Sequence, residues 1–176
     1  MPIPEAPLRR VPSHPGIRRS DIRTARVLTH DAERRATIMP QQHLIFVYGT
    51  LKRGFCRAHF LAGQSFLGEA RTLPKYRMYD CGTYPGLKPA SDGLSILGEV
   101  WSVDEACLAR LDQAEEVDTG LYSRAVIELA HPLPEPVRGT PVEAYFYHPS
   151  VTGFPDCEDQ WTTESGSGEF DSTRRP

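Results

Sequence analysis

The sequence predicts an α+β domain. Three observations carry that reading. Six short apolar or aromatic runs are separated by turn residues, one amphipathic segment begins with a helix-start signal, and a glycine-bracketed loop ends the first run. Strands outnumber helices and do not alternate with them, which is the order of an α+β chain rather than of a doubly wound α/β sheet.

The elements follow in order. Leu44–Tyr48 is an apolar, β-branched run with the composition of a buried strand. It ends in Tyr48-Gly49-Thr50-Leu51-Lys52-Arg53-Gly54. Gly49 turns the backbone where a side chain would obstruct it, and Gly54 permits a second tight bend. The backbone N–H groups between the glycines have no evident strand or helix partner, so the loop is suited to holding an oxyanion or a carboxylate. Its alternative is a structural turn. A short helix is expected near Arg57–Ala62, and strands at Phe66–Arg71, Tyr76–Asp80 and Ile96–Trp101. The main helix spans Asp104–Ala114. Strands at Tyr122–Leu129 and Val142–His148 follow, separated by a turn-rich excursion with Pro132, Pro134, Pro136 and Gly139. In the last strand Tyr145 and Tyr147 alternate with Phe146, so one aromatic set faces the core and the other faces outward.

The main helix carries the second chemical signal. Ser102 and Glu105 have capping-box spacing, and Leu108 and Leu111 form an apolar seam. Glu115 lies four residues after Leu111 and continues that face, whereas Glu116 is rotated by about 100° toward solvent. An inward carboxylate at a helix C-terminus meets both desolvation and the negative pole of the helix dipole. Both raise its pKa, as a proton-shuttling acid/base requires. The alternative is that the helix stops before Glu115 and both glutamates are solvated.

The loop and the helix together resemble the γ-glutamylcyclotransferase family, including the γ-glutamylamine cyclotransferases and the plant avirulence-induced-gene-like proteins. The resemblance covers roughly Leu44 to Pro149. It rests on Tyr48-Gly49-Thr50-Leu51-Lys52-Arg53-Gly54, Tyr84-Pro85-Gly86-Leu87, Gly98-Glu99-Val100-Trp101-Ser102-Val103-Asp104, Leu111-Asp112-Gln113-Ala114-Glu115, Leu121-Tyr122-Ser123-Arg124 and Ala144-Tyr145-Phe146-Tyr147. It implies a small mixed β-barrel with two flanking helices. It implies that Tyr48, Gly49, Thr50 and Leu51 grip a γ-glutamyl group, largely through backbone amides, and that Glu115 is the acid/base. Tyr122 matches a family tyrosine near the pocket. Thr50 is closer to the γ-glutamylamine branch than to the glutathione-degrading branch, where serine often stands. Glu116 departs from the family, which often has glycine there.

These residues suffice for an intramolecular aminolysis. The α-amine of a γ-glutamyl amide closes onto its own γ-carbonyl once a base has removed a proton, and the loop amides stabilise the resulting oxyanion. The products are 5-oxoproline and a free amine, with no metal or organic cofactor. Two alternatives remain at this point: a γ-glutamyl deprotection enzyme in a biosynthetic pathway, and a non-catalytic module that binds γ-glutamyl or carboxylate ligands.

Other chemistries fit poorly. Cys56, Cys81, Cys107 and Cys157 are far apart with no Cys-x-x-Cys pair, and the six histidines show no ligand spacing. Cys107 reads as a small packed residue and Cys56 as an exposed thiol. His59 is a candidate for the entrance to the site or an ordinary surface position. Glycine spacing of the nucleotide-binding type is missing. A formal charge of −3 carries no nucleic-acid signature.

Residues 1–40 are Arg/Pro-rich, with eight arginines and no lysine, and read as a disordered arm. Met39, just before the first strand, is a candidate start. Residues 41–150 read as the domain and 151–176 as a flexible Ser/Gly/acid-rich tail. The expected partner is a small γ-glutamyl substrate, with no nucleic acid or membrane. The chain is expected to be a monomer or weak homodimer in the cytoplasm.

Overall fold

A computed structural model describes residues 41–162; the readings for residues 1–40 and 163–176 lie outside the described residues. In chain order the elements are β1 (Gln42–Val47), a 3-10 turn (Ala58–Leu61), β2 (Ser65–Arg71), β3 (Tyr76–Asp80), β4 (Pro85–Pro89) and β5 (Leu97–Asp104). They are followed by α1 (Glu105–Ala114), β6 (Tyr122–Val126), a 3-10 turn (Glu135–Val137) and β7 (Val142–Tyr147). Five strands form one mixed sheet in the order β2-β5-β1-β7-β6, and β3 and β4 form a separate hairpin. Only β1 and β7 pair in parallel within the large sheet.

From Leu44 onward β1 is apolar because that part of it is buried on both faces. Alternate residues point to opposite sides. Ile45 and Val47 join a cluster with Trp101, Val103, Cys107, Leu108 and Leu111, beneath α1. Leu44, Phe46 and Tyr48 join a second cluster with Tyr76, Met78 and Leu87 of the β3–β4 hairpin. The central strand is thus covered by a helix on one side and by a hairpin on the other.

Several boundaries differ from the sequence reading, each for a physical reason. β5 runs through Ser102, which still pairs with Leu44 and Ser65; its hydroxyl donates to Gln42 Oε1 at 2.9 Å. Capping therefore falls to Asp104, whose Oδ1 accepts from the Cys107 N–H at 2.7 Å. β6 leaves its ladder after Val126, and Leu129 makes instead an isolated bridge with Thr72. The short helix expected near Arg57–Ala62 is present as one 3-10 turn, Ala58–Leu61. β4 went unrecognised because it is short and begins and ends in proline, which is tolerated at such positions of an edge strand. Phe146 is only partly outward, with its ring 5.8 Å from Tyr76.

The ladders trace an open order with β2 and β6 at the edges, not a continuous ring. Chain beyond the two edges meets at the Thr72–Leu129 bridge, where Leu73 N–H donates to Glu128 O (2.9 Å) and Ala130 N–H to Arg71 O (2.8 Å). The folded part also extends past residue 150. Residues 151–162, read from the sequence as tail, return to the domain, and Trp161 is 3% exposed. Val151, Phe154 and Cys157 also pack on the core, and Cys157 N–H donates to Met78 O and Leu97 N–H to Asp159 O, at 2.8 and 2.7 Å.

Candidate active site

The loop after β1 is held in place by its own turns and by distant residues. Lys52 N–H donates to Gly49 O, Phe55 N–H to Lys52 O and Arg57 N–H to Thr50 O, at 3.0–3.1 Å. The buried Glu99 of β5 accepts from the Arg53 N–H (3.2 Å), Arg53 Nε (3.0 Å) and Trp101 Nε1 (3.0 Å). Lys52 Nζ donates to the carbonyl of Trp161 at 2.8 Å. Burial lowers the Lys52 pKa, with Glu99 and Glu69 opposing. Among the described residues, the N–H groups of Gly49, Thr50 and Leu51 make no hydrogen bond. A fixed loop with spare donors is the arrangement that electrostatic stabilisation of a developing oxyanion needs.

The reason for glycine at 49 is close approach. A Cβ at Gly49 would lie 2.3 Å from Pro85 Cγ and 2.8 Å from Pro85 Cδ. Pro85 begins β4, and its carbonyl accepts the Tyr122 hydroxyl at 2.7 Å. Two motifs far apart in the chain are thus one contact in the fold. Gly54, in contrast, has φ +83 and open space around it.

Glu115 follows the last helical residue as the C-cap. The helix stops where the alternative reading had it stop, yet the carboxylate is inward: Glu115 is 7% exposed while Glu116 is solvent-exposed. The chain turns by a Schellman motif, in which Val117 N–H donates to Asp112 O (3.0 Å) and Glu116 N–H to Gln113 O (3.2 Å). That motif puts Glu116 in the left-handed region at φ 54. Glycine is the residue that occupies this conformation without steric cost. Glu116→Gly is therefore expected to stabilise the fold by about 1 kcal/mol, the penalty a side chain meets there, as read from equilibrium denaturation.

Burial raises the Glu115 pKa above the ordinary carboxylate value, Arg57 lowers it and Glu116 raises it again. Arg57 Nη1 donates to Glu115 Oε1 at 3.2 Å and Nη2 to the Ala114 carbonyl at 2.6 Å. Because the folded state holds the proton more tightly than the unfolded chain, stability contributed at low pH is lost as pH rises through the folded pKa. The stability of wild type relative to Glu115→Gln is expected to fall over that window and to level off above it. Chemical denaturation of both proteins across the acidic range checks this, and parallel curves would contradict it.

The loop and the carboxylate share one cavity. It encloses about 320 Å³, part of it open to solvent, and its lining includes Tyr48, Gly49, Thr50, Leu51, Glu115 and Tyr122. All six residues singled out in the sequence therefore meet. Tyr48 donates to Tyr145 O and Tyr122 to Pro85 O, each at 2.7 Å. Burial pushes both phenol pKa values up, so the two tyrosines shape the wall as neutral groups. Sequence reasoning did not assign Arg57, Pro85 or Glu99 to the site, whereas Tyr145, read as core packing or a pocket wall, lies in the lining. Glu99 had left a signal, being an acid within the otherwise apolar stretch Ile96–Trp101, two residues before Trp101 on the same face. His59 is exposed, with Nδ1 3.1 Å from the Cys56 carbonyl, and is not in the cavity lining. Cys107 is buried and Cys56 exposed, as read. No cluster of metal-ligating residues and no helix long and apolar enough to cross a membrane occurs among the described residues.

Comparison with known proteins bears on the family. The profile of the family described as gamma-glutamyl cyclotransferase, AIG2-like, matches residues 45–171. The gamma-glutamylcyclotransferase family protein YtfP of Escherichia coli is 36% identical over 84 residues, covering 48% of this chain and 71% of that protein. A Vibrio cholerae relative, provisionally named a gamma-glutamylcyclotransferase, is 46% identical over 87 residues, covering 49% of this chain and 73% of its own. An Arabidopsis thaliana relative, 43% identical over 98 residues, is matched over only 51% of its length. Among solved structures, an aig2-like protein from Mus musculus superposes with a TM-score of 0.57 at 27% identity, over 68% of this chain and 88% of that one. The solution structure of Escherichia coli ytfP gives 0.50 at 31% identity, over 69% and 96%. With most of the described residues inside the matched region, the chain belongs to the gamma-glutamyl cyclotransferase, AIG2-like family.

Proposed function

We propose that this chain is a γ-glutamylcyclotransferase, which cyclises the γ-glutamyl part of a small γ-glutamyl amine or amide to 5-oxoproline and releases the free amine. The observation that carries the reading is the shared cavity: three backbone donors of a fixed loop and one buried carboxylate of raised pKa line the same space. The loop amides of Gly49, Thr50 and Leu51 hold the γ-glutamyl group curled, with Tyr48 and Tyr122 as walls. Ionised Glu115 takes a proton from the substrate's α-ammonium group, and the freed amine attacks the γ-carbonyl carbon. The carbonyl oxygen gains the electron pair and is stabilised by the amides. Protonated Glu115 then delivers its proton to the departing nitrogen as the C–N bond breaks, which returns the carboxylate to its starting state, and the second proton shed by the ring nitrogen passes to the released amine, which leaves as its ammonium ion. No step calls on a metal or an organic cofactor.

Arg57 gives the carboxylate a second property. It stabilises the ionised form against burial, so Glu115 keeps a proton affinity that suits both taking and giving a proton. We further propose that the chain works in the cytoplasm as a monomer or weak homodimer.

The test is 5-oxoproline release from γ-glutamyl-ε-lysine, glutathione and γ-glutamyl-alanine. Product from at least one of them is expected, with the lysine isopeptide favoured. Measurable binding without product would move the reading to the non-catalytic module, and turnover confined to larger γ-glutamyl-protected intermediates would move it to the deprotection enzyme.

A further inference from the structure

We propose that the amine half of the substrate occupies a second cleft beside the first, and that Glu116 on its rim makes the enzyme prefer leaving amines that carry an additional positive charge. The inference rests on the cyclotransferase reading of the first cavity and names the class of amine it acts on. The second cleft encloses about 600 Å³, part of it open to solvent, and its lining includes Arg57, Thr83, Tyr84, Glu116, Leu121 and Tyr122. Tyr84 and Tyr122 line both spaces, and their ring centroids are 6.3 Å apart. A γ-glutamyl group held by the loop in the first cavity can therefore continue past the tyrosine pair into the second.

The charge balance of this cleft selects what continues. Its two charged residues are Arg57 and Glu116. Arg57 already donates to the Glu115 carboxylate and to the Ala114 carbonyl, so its charge is matched within the protein. The Glu116 side chain makes no ion pair or hydrogen bond among the described residues. The Schellman turn fixes its backbone and so the direction in which the carboxylate leaves the chain. An exposed, unmatched anion on the rim of a substrate cleft attracts cations and repels anions. Where glycine stands at this position no such charge exists, so the preference belongs to this chain's own residue. Keeping a side chain in a left-handed turn has a steric penalty, and departures of this kind concentrate at functional sites.

The experiment uses three substrates of similar length that differ in the charge of the far end: the γ-glutamyl amides of 1,4-diaminobutane, n-butylamine and 4-aminobutyrate. At low ionic strength, wild type is expected to favour the diaminobutane amide over the butylamide by roughly fivefold in kcat/KM, the size of a solvent-exposed ion pair, and to disfavour the 4-aminobutyrate amide. Glu116→Gln, which keeps the strained turn, is expected to flatten the series, and Glu116→Lys to invert it. Glu116→Gly flattens it while relieving the turn, which separates charge from backbone. The wild-type preference should fade at high salt. A flat wild-type series, or a preference that survives both Gln and Lys, overturns the proposal while leaving the cyclotransferase reading intact. If none of the three is turned over, calorimetric titration of the same amides decides: affinity ranked by charge and dependent on Glu116 upholds the subsite although the reaction reading fails. Unranked affinity, or no binding at all, removes the subsite as well.

Discussion

Replacing Glu115 with Gln is expected to lower kcat for 5-oxoproline release by roughly 10²–10⁴-fold, the contribution of a positioned acid/base, while KM changes far less. Gln keeps the size of the side chain and an oxygen able to accept from Arg57 Nη1, which now lies 3.2 Å from Glu115 Oε1. It removes the one property the reaction uses, reversible proton uptake. In the proposed reaction, substrate binding falls to the loop amides and the tyrosine walls, which the substitution does not touch. In wild type, kcat/KM should rise with pH as Glu115 ionises, and that rise should be displaced above the ordinary carboxylate range because burial dominates over Arg57. A variant that stays folded by circular dichroism and still turns over at the wild-type rate would assign the proton transfer to another group.

Gly49→Ala is expected to damage both stability and turnover. The new Cβ would lie 2.3 Å from Pro85 Cγ, well inside van der Waals contact. Relief requires Pro85 to move, but its carbonyl holds the Tyr122 hydroxyl and its backbone starts the β4 ladder against β3. Alternatively the loop moves, but Glu99, through Arg53, and the Trp161 carbonyl, through Lys52, anchor it further along. Overpacking of this kind costs roughly 1–3 kcal/mol, a fall in Tm of about 4 °C per kcal/mol for a domain of this size. Displacing the loop by about 1 Å relative to Glu115 would add a loss of roughly 10²-fold in kcat/KM. Gly54→Ala is the comparison. Its surroundings are open and only its positive φ opposes the change, so about 1 kcal/mol of stability is the expected cost. Equal effects at the two glycines would mean that the Pro85 contact does not constrain the site.

Much of the site was legible because its signals are local. A buried strand, a glycine-bracketed loop and a capped helix each announce themselves within about a dozen residues. The inward turn of Glu115 followed from its spacing to Leu108 and Leu111, and it holds although the helix ends at Ala114, as read, since the C-cap continues the same path. What was missed acts across distance. Arg57 reaches a carboxylate 58 positions away, and Glu99 reaches Arg53 across 46. β4 was hidden because proline composition argues against a strand unless the strand lies at an edge, and edge position is a property of the sheet. The folded boundary past residue 150 was hidden for a similar reason, since scattered apolar residues and backbone hydrogen bonds to distant strands decide it.

By itself the sequence determined the parts: a donor-rich loop at the end of a two-sided apolar strand, and a carboxylate on the apolar face of a helix end. Local sterics, side-chain periodicity and hydrogen-bonding capacity fix such features without reference to the rest of the chain. Only the tertiary structure decided that the parts form one site. β1 lies at the centre of the sheet between β5 and β7, and α1 begins as β5 ends. That order carries Glu115 back over the loop that β1 releases, and closes the space with Pro85, Tyr122 and Tyr145. The burial created by that meeting, which no local stretch possesses, is what raises the proton affinity of Glu115.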